Sequence, residues 1–131
     1  GWMTSLVPLY LKHVFAYEPY FENAKVIYHA YNEGFEGSLD AGMAAKAEAH
    51  GIPADALSSI GEPTFENLNA LGMQGADAII VGSEELSTES QAVLAGMDKP
   101  ILPYSGSEGF VSEINAFYDT MLEGKAEAVA E

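Results

Sequence analysis

Three histidines, twenty carboxylates and a scatter of hydroxyls are the side chains that could carry chemistry in this sequence. His13, His29 and His50 stand on three separate predicted elements, and no H-E-x-x-H or comparable spacing links them. No metal site is expected, and all three read as structural. His50 precedes Gly51, at a predicted helix end where a partial positive charge suits the dipole. Nucleophilic catalysis has no signal either, since no G-x-S-x-G elbow occurs. Ser83 follows Gly82 at a strand-to-helix turn, where backbone N–H groups can cradle a phosphate. Glu84 and Glu85 follow at once and oppose an anion, so Ser83 reads better as a helix cap. Carboxylate pairs such as Glu33/Glu36 and Glu84/Glu85 arise by chance in so acidic a chain, and they read as solvated surface. No catalytic residue, metal ligand or cofactor is assigned.

The segment from Tyr28 to Gly37 says more. It follows a predicted strand directly and carries Tyr31, Asn32, Phe35 and two glycines, Gly34 and Gly37. Open α/β folds bind ligands at the carboxyl ends of their strands. Aromatic rings beside an amide and carboxylates suit a sugar, which offers apolar faces and hydroxyl edges. The alternative is a loop whose aromatics pack onto the core, and composition alone favours it.

The elements that must position this loop follow from periodicity. Met3, Leu6, Val7, Tyr10, Val14 and Tyr17 recur at helical spacing, predicting an amphipathic helix over 3–17 with Pro8 near its first turn. Short β-branched runs predict buried strands at 25–29, 77–81 and 100–103. Helices are expected over 40–49, ended by Gly51, and from Thr64 as N-cap to about Gln74, with Phe65, Leu68 and Leu71 inward. Two more follow, 84–94 capped by Ser83 and 108–122 capped by Ser107. The fold class is α/β: a three-layer, partial Rossmann-like arrangement with a parallel sheet and helices on both faces. Residues 1–122 form the domain, and 123–131 an Ala/Glu-rich tail that frays.

Composition narrows the partners. The chain has 131 residues, 48% of them hydrophobic, enough for one domain with one core. Five lysines, no arginine and twenty carboxylates give a formal charge of −15. That field repels phosphate backbones and anionic lipid, so neither nucleic acid nor a membrane is expected as partner. A neutral sugar polymer is not repelled. With no cysteine, disulfides and thiolate metal sites are excluded. Ile79-Ile80-Val81 is far too short to span a bilayer. The chain opens on Gly1 and enters a helix at once, with no signal-peptide pattern, which suggests a trimmed piece.

Three segments resemble a known family. Gly1-Trp2-Met3-Thr4-Ser5-Leu6-Val7-Pro8-Leu9-Tyr10-Leu11-Lys12 is similar to the H-x-H-D-W-x-T-x-L-x-P-x-Y-L-K segment of bacterial glycogen and starch synthases. Lys25-Val26-Ile27-Tyr28-His29-Ala30-Tyr31-Asn32-Glu33-Gly34-Phe35-Glu36-Gly37 resembles that family's K-V-x-F-T-I-H-N-x-x-Y-Q-G. Residues 65–83, from Phe65-Glu66-Asn67 to Ile80-Val81-Gly82-Ser83, resemble its N-x-x-K-x-G-x-x-x-A-D-x-V-x-T-V-S. Order and spacing agree over residues 1–83.

The resemblance implies a cytoplasmic glycosyltransferase of the two-domain GT-B type that moves glucose from ADP-glucose to an α-glucan. It places this chain in the second half of the N-terminal, acceptor-side domain, without the upstream lysine motif or the donor-binding domain. Trp2, Tyr31, Asn32 and Gly37 become the implied substrate-binding positions, and an α-glucan acceptor the implied partner. There are departures. The family's T-I-H-N histidine aligns with Tyr31, and its aspartate before tryptophan with Gly1. His29, two positions from Tyr31, keeps the same strand face. A nucleotide diphosphate also calls for guanidinium or lysine clamps; this sequence has no arginine, and none of its five lysines falls in a donor motif of the family. The isolated chain is expected to be inactive. Loss of upstream strands is expected to leave an open sheet edge and so to favour self-association. The alternative is a non-catalytic glucan-binding or scaffolding module.

Overall fold

A computed structural model describes the backbone of residues 1–130 and the side chains of residues 1–124. Of the tail expected at 123–131, the backbone to Ala130 continues the last helix, whereas its side chains fall mostly outside the described residues. Three strands, β1 (Ile27–Ala30), β2 (Ala78–Val81) and β3 (Ile101–Leu102), form one open sheet in the order β1-β2-β3. Both pairings are parallel, with Tyr28 beside Ile79 and Ile79 beside Ile101. The predicted strands and their direction are therefore present, as a partial Rossmann-like α/β fold.

The sheet explains its own sequence. β2 is central, and Ala78, Ile79 and Ile80 are all fully buried, which is why the run there is continuously apolar. β1 alternates: Tyr28 and Ala30 are buried, while Ile27 and His29 are partly exposed on the other face. Helix α4 (Phe65–Gly75) covers the Tyr28 face. Its approach is so close that a Cβ on Gly72 would fall 2.3 Å from the Tyr28 ring. Helix α6 (Phe110–Ala130) lies across the opposite face, where the Tyr118 hydroxyl meets His29 at 2.8 Å. Within the described residues β1 pairs on one side only, with β2.

The core has two parts. One joins Leu9, Ile52, Leu57, Ile60 and Leu71; the other joins Tyr28, Ala30, Met73, Ile79 and Leu86. Each fully buried aliphatic side chain contributes about 1.5–3 kcal/mol relative to exposure. Between β1, α4 and α5 (Thr88–Ala95) runs a buried polar chain. The Tyr28 hydroxyl donates to Asn69 Oδ1 at 2.8 Å, and Asn69 Nδ2 donates to Ser90 Oγ at 2.9 Å. Burial pushes the Tyr28 phenol far above its ordinary range, so it stays a neutral donor. At the far end of α4, Lys99 Nζ donates to the carbonyls of Met73, Gln74 and Ala76 at 2.7–3.0 Å. An ammonium there satisfies three orphan carbonyls and faces the negative end of the dipole.

Several expectations need correction. Residues 3–17 are not one helix. Trp2–Thr4 form a 3-10 turn, α1 spans only Val7–Leu9, and a π-helical turn runs from Tyr10 to Val14. Pro8 has no N–H to continue a ladder through the first turn, and the bond from Phe15 N–H to Tyr10 O closes the wider ring. The buried positions are Ser5, Pro8 and Leu9, while Met3 and Tyr17 are 82% and 94% exposed. The helix expected over 40–49 is shorter, α2 at Met43–Ala49, and a one-turn helix, α3 (Ala54–Leu57), follows it unforeseen. Helix α5 starts at Thr88 rather than Glu84, because Ser87 Oγ, not Ser83, accepts the Ser90 N–H. Ser107 does not cap α6 with its side chain; its hydroxyl donates to the Glu113 carboxylate at 3.0 Å. Thr64 does cap α4, accepting the Asn67 N–H.

Candidate functional site

The carboxyl ends of β1 and β2 are tied together before any ligand is considered. Gly82 N–H donates to Ala30 O at 2.8 Å, continuing the ladder one step beyond the strands. Asn32 N–H then donates to Ser83 Oγ at 3.0 Å. Ser83 is thus a clamp between the two strand ends. It holds the start of the 31–37 loop over the end of β2.

On this platform the N-terminal turn and the loop form a cleft of about 200 Å3, lined by Gly1, Trp2, Met3, Tyr31 and Glu33. Trp2 packs on Phe35 with ring centroids 4.6 Å apart and planes tilted by 59°. Tyr31 lies against Gly82, where a Cβ would stand only 2.3 Å from the ring. Only glycine at position 82 leaves room for that placement. The loop is seated from beneath by Phe65, the first residue of α4, whose ring would collide with any Cβ on Gly34. Part of the packing alternative therefore holds, since Phe35 packs against Trp2. Even so, Trp2, Tyr31 and Phe35 all keep partial exposure.

Behind Tyr31 stands a polar relay. The Tyr31 hydroxyl is 3.4 Å from His29 Nδ1, and His29 Nε2 is 2.8 Å from the Tyr118 hydroxyl. His29 and Tyr31 do share a face, as their two-residue offset requires. Burial lowers the His29 pKa, and the ammonium of Gly1 lowers it further, which favours the neutral imidazole. A neutral imidazole has one donor and one acceptor nitrogen.

Of the expected positions, Trp2 and Tyr31 come together in the cleft. Asn32 adjoins it, with its backbone committed to Ser83 and its side chain exposed. Gly37 does not line the cleft. Its φ of +78° places it in the left-handed region, where glycine makes the turn that leads to the Ser38–Thr64 bridge. The sequence reading missed His29, Glu33, Gly82 and Tyr118 as parts of this site. The period-2 spacing of His29 and Tyr31 was a usable signal, as was a glycine at the end of β2. Nothing in the sequence pointed to Tyr118, 89 positions from His29.

A larger hollow of about 400 Å3 lies between the N-terminal segment and α2, walled by Leu6, Tyr10, Leu39 and Met43. It shares no residue with the cleft at the strand ends. Among the described residues no cluster of His, Cys, Asp or Glu suits a metal ion, and no helix is long and apolar enough to cross a membrane.

The comparison with curated proteins finds no match, and neither does the comparison with solved structures. The family model for the starch synthase catalytic domain matches residues 1–99, which contain β1, β2, α4 and the cleft. The chain belongs to the starch synthase catalytic domain family, and is thus of glycosyltransferase lineage.

Proposed function

We propose that this chain is the acceptor-side portion of an α-glucan synthase, whose family reaction transfers glucose from ADP-glucose to a growing α-glucan. The supporting observation is the aromatic cleft at the carboxyl ends of the parallel strands, with Trp2 and Tyr31 on its walls. A pyranose presents an apolar face to a ring and hydroxyls to Asn32 and Glu33. On this reading Trp2, Tyr31 and Asn32 hold the acceptor, and the chain alone does not transfer glucose. Transfer needs donor and acceptor fixed together in one geometry, and the cleft carries no lysine or arginine side chain to hold a diphosphate.

That lack of basic side chains also favours a second reading, a non-catalytic glucan-binding or scaffolding module. Affinity electrophoresis through gels containing glycogen tests the shared claim. Wild type should be retarded and Tyr31→Ala should run faster. Equal mobility of the two, or no retardation of either, rejects the site. Incorporation of radiolabelled glucose from ADP-glucose into glycogen above a no-protein control rejects inactivity and sets aside the module reading.

A further inference from the structure

Helix α6 lies beyond the segment that the family model matches, which ends at residue 99. It nevertheless touches His29, which stands behind the strand-end cleft. Tyr118 projects its hydroxyl through the face of the sheet that α6 covers and meets His29 Nε2 at 2.8 Å. The other nitrogen of the same ring faces the Tyr31 hydroxyl at 3.4 Å. Tyr31 in turn has one side of its ring on Gly82 and Gly1 beside its Cδ2 edge.

We infer that Tyr118 and His29 are positioning residues, through which α6 fixes the place and the hydrogen-bonding sense of Tyr31 in the cleft. The sense follows from valence. One imidazole nitrogen donates and the other accepts, so the two tyrosine hydroxyls play opposite parts. If Tyr118 donates to Nε2, then Nδ1–H donates to the Tyr31 oxygen, and the Tyr31 proton is free for a ligand oxygen. If Tyr118 accepts, the Tyr31 proton is spent on Nδ1, and Tyr31 can only accept from a ligand hydroxyl. Tyr118 thereby sets what Tyr31 offers, without touching the cleft. The cleft is lined by the N-terminal turn and the β1 loop, and the C-terminal helix stands behind it through His29.

The claim about a ligand rests on the glucan-binding reading; the claim about Tyr31 does not. The test therefore has two readouts on Tyr118→Phe. The first is the chemical-shift separation of the two Gly82 α-protons. One of them points where a Cβ would meet the Tyr31 ring, and it takes a ring-current shift that Tyr31→Ala abolishes. Tyr118→Phe should reduce that separation toward the Tyr31→Ala value. An unchanged separation overturns the inference. The second is retention on glycogen gels, which should weaken about 3–10-fold, the worth of roughly one hydrogen bond. Undiminished retention in the presence of the shift change overturns the functional part. If neither wild type nor variant is retained while the Gly82 shift moves, the glucan reading fails and the positioning of Tyr31 stands. Should Tyr118→Phe not fold, His29→Gln serves: it keeps a partner for Tyr118 and removes the one for Tyr31. The same loss of Gly82 separation is expected, and its persistence refutes the relay.

Discussion

The contact between Tyr28 and Asn69 is the sharpest test of how the platform beneath the cleft is held. Asn69 is fully buried, and its side chain spends its oxygen on the Tyr28 hydroxyl and an amide proton on Ser90. Tyr28→Phe removes the donor and leaves Asn69 Oδ1 desolvated without a partner, at a cost of about 1–3 kcal/mol. Asn69→Leu, similar in size, orphans the Tyr28 hydroxyl at the same cost. It also drops the bond to Ser90, for a total of about 2–4 kcal/mol. Ser90 Oγ is still reached by the Ser87 hydroxyl at 3.0 Å, which limits that second loss. In the double variant neither orphan remains at this contact. Its cost should be about 2–3 kcal/mol, against a sum of singles of about 3–7 kcal/mol. Urea unfolding followed by far-UV circular dichroism measures all four proteins. A favourable coupling of about 1–4 kcal/mol supports the argument. Additivity within about 0.5 kcal/mol refutes it, because it would mean that the orphaned groups find other partners or water.

Three further outcomes are expected. Lys99→Met should lower stability by about 1–3 kcal/mol in the same urea assay, since three carbonyls at the end of α4 lose a charged donor; an unchanged midpoint would show that water replaces it. His29 has a folded pKa below its ordinary value of about 6.5, through burial first and the Gly1 ammonium second. The unfolded chain therefore takes up a proton before the folded one does, so stability should fall as pH drops through about 6.5 and level off below the folded pKa. His29→Gln should lack that component between neutral and mildly acidic pH, and superimposable stability profiles would contradict it. Gly82→Ala should displace the Tyr31 ring, given the 2.3 Å approach, and abolish glycogen retention; retention equal to wild type would mean that Tyr31 is not part of the glucan surface.

The parts of this fold that were legible in the sequence are those where one physical requirement dominates. A central parallel strand buried on both faces must be apolar throughout, and Ala78-Ile79-Ile80-Val81 shows that directly. Thr64 could be recognised as a cap because inward-facing Phe65, Leu68 and Leu71 follow it in helical register. Where two requirements compete, the reading slipped. Over 3–17 the helical spacing of apolar residues outweighed Pro8, yet Pro8 opens a short α-helix that a 3-10 turn precedes and a π turn follows. Ser83 and Ser87 both precede acidic residues, and nothing local tells a cap from a clamp. The distinction depends on Asn32, which folding brings beside Ser83. The contact of Tyr118 with His29 is of the same kind, since it depends on the path of α6 across the sheet.

These long-range ties also bear on which ligand the cleft can take. Its wall contributes one carboxylate, Glu33, and no basic side chain, within a chain of net charge −15. A diphosphate brought there would meet repulsion from the chain as a whole and no compensating clamp. A neutral glucan meets neither penalty, and the rings of Trp2 and Tyr31 are fixed in place before it arrives. A rigid aromatic wall loses little conformational entropy on binding, so each stacked sugar can retain more of its contact energy. A cleft that positions an acceptor but cannot neutralise a leaving diphosphate has to receive those charges from another polypeptide segment. On the proposed reading, the strand-end clamp, the Gly82 seat and the Tyr118 relay keep the acceptor surface fixed so that a donor-bearing partner can close on it.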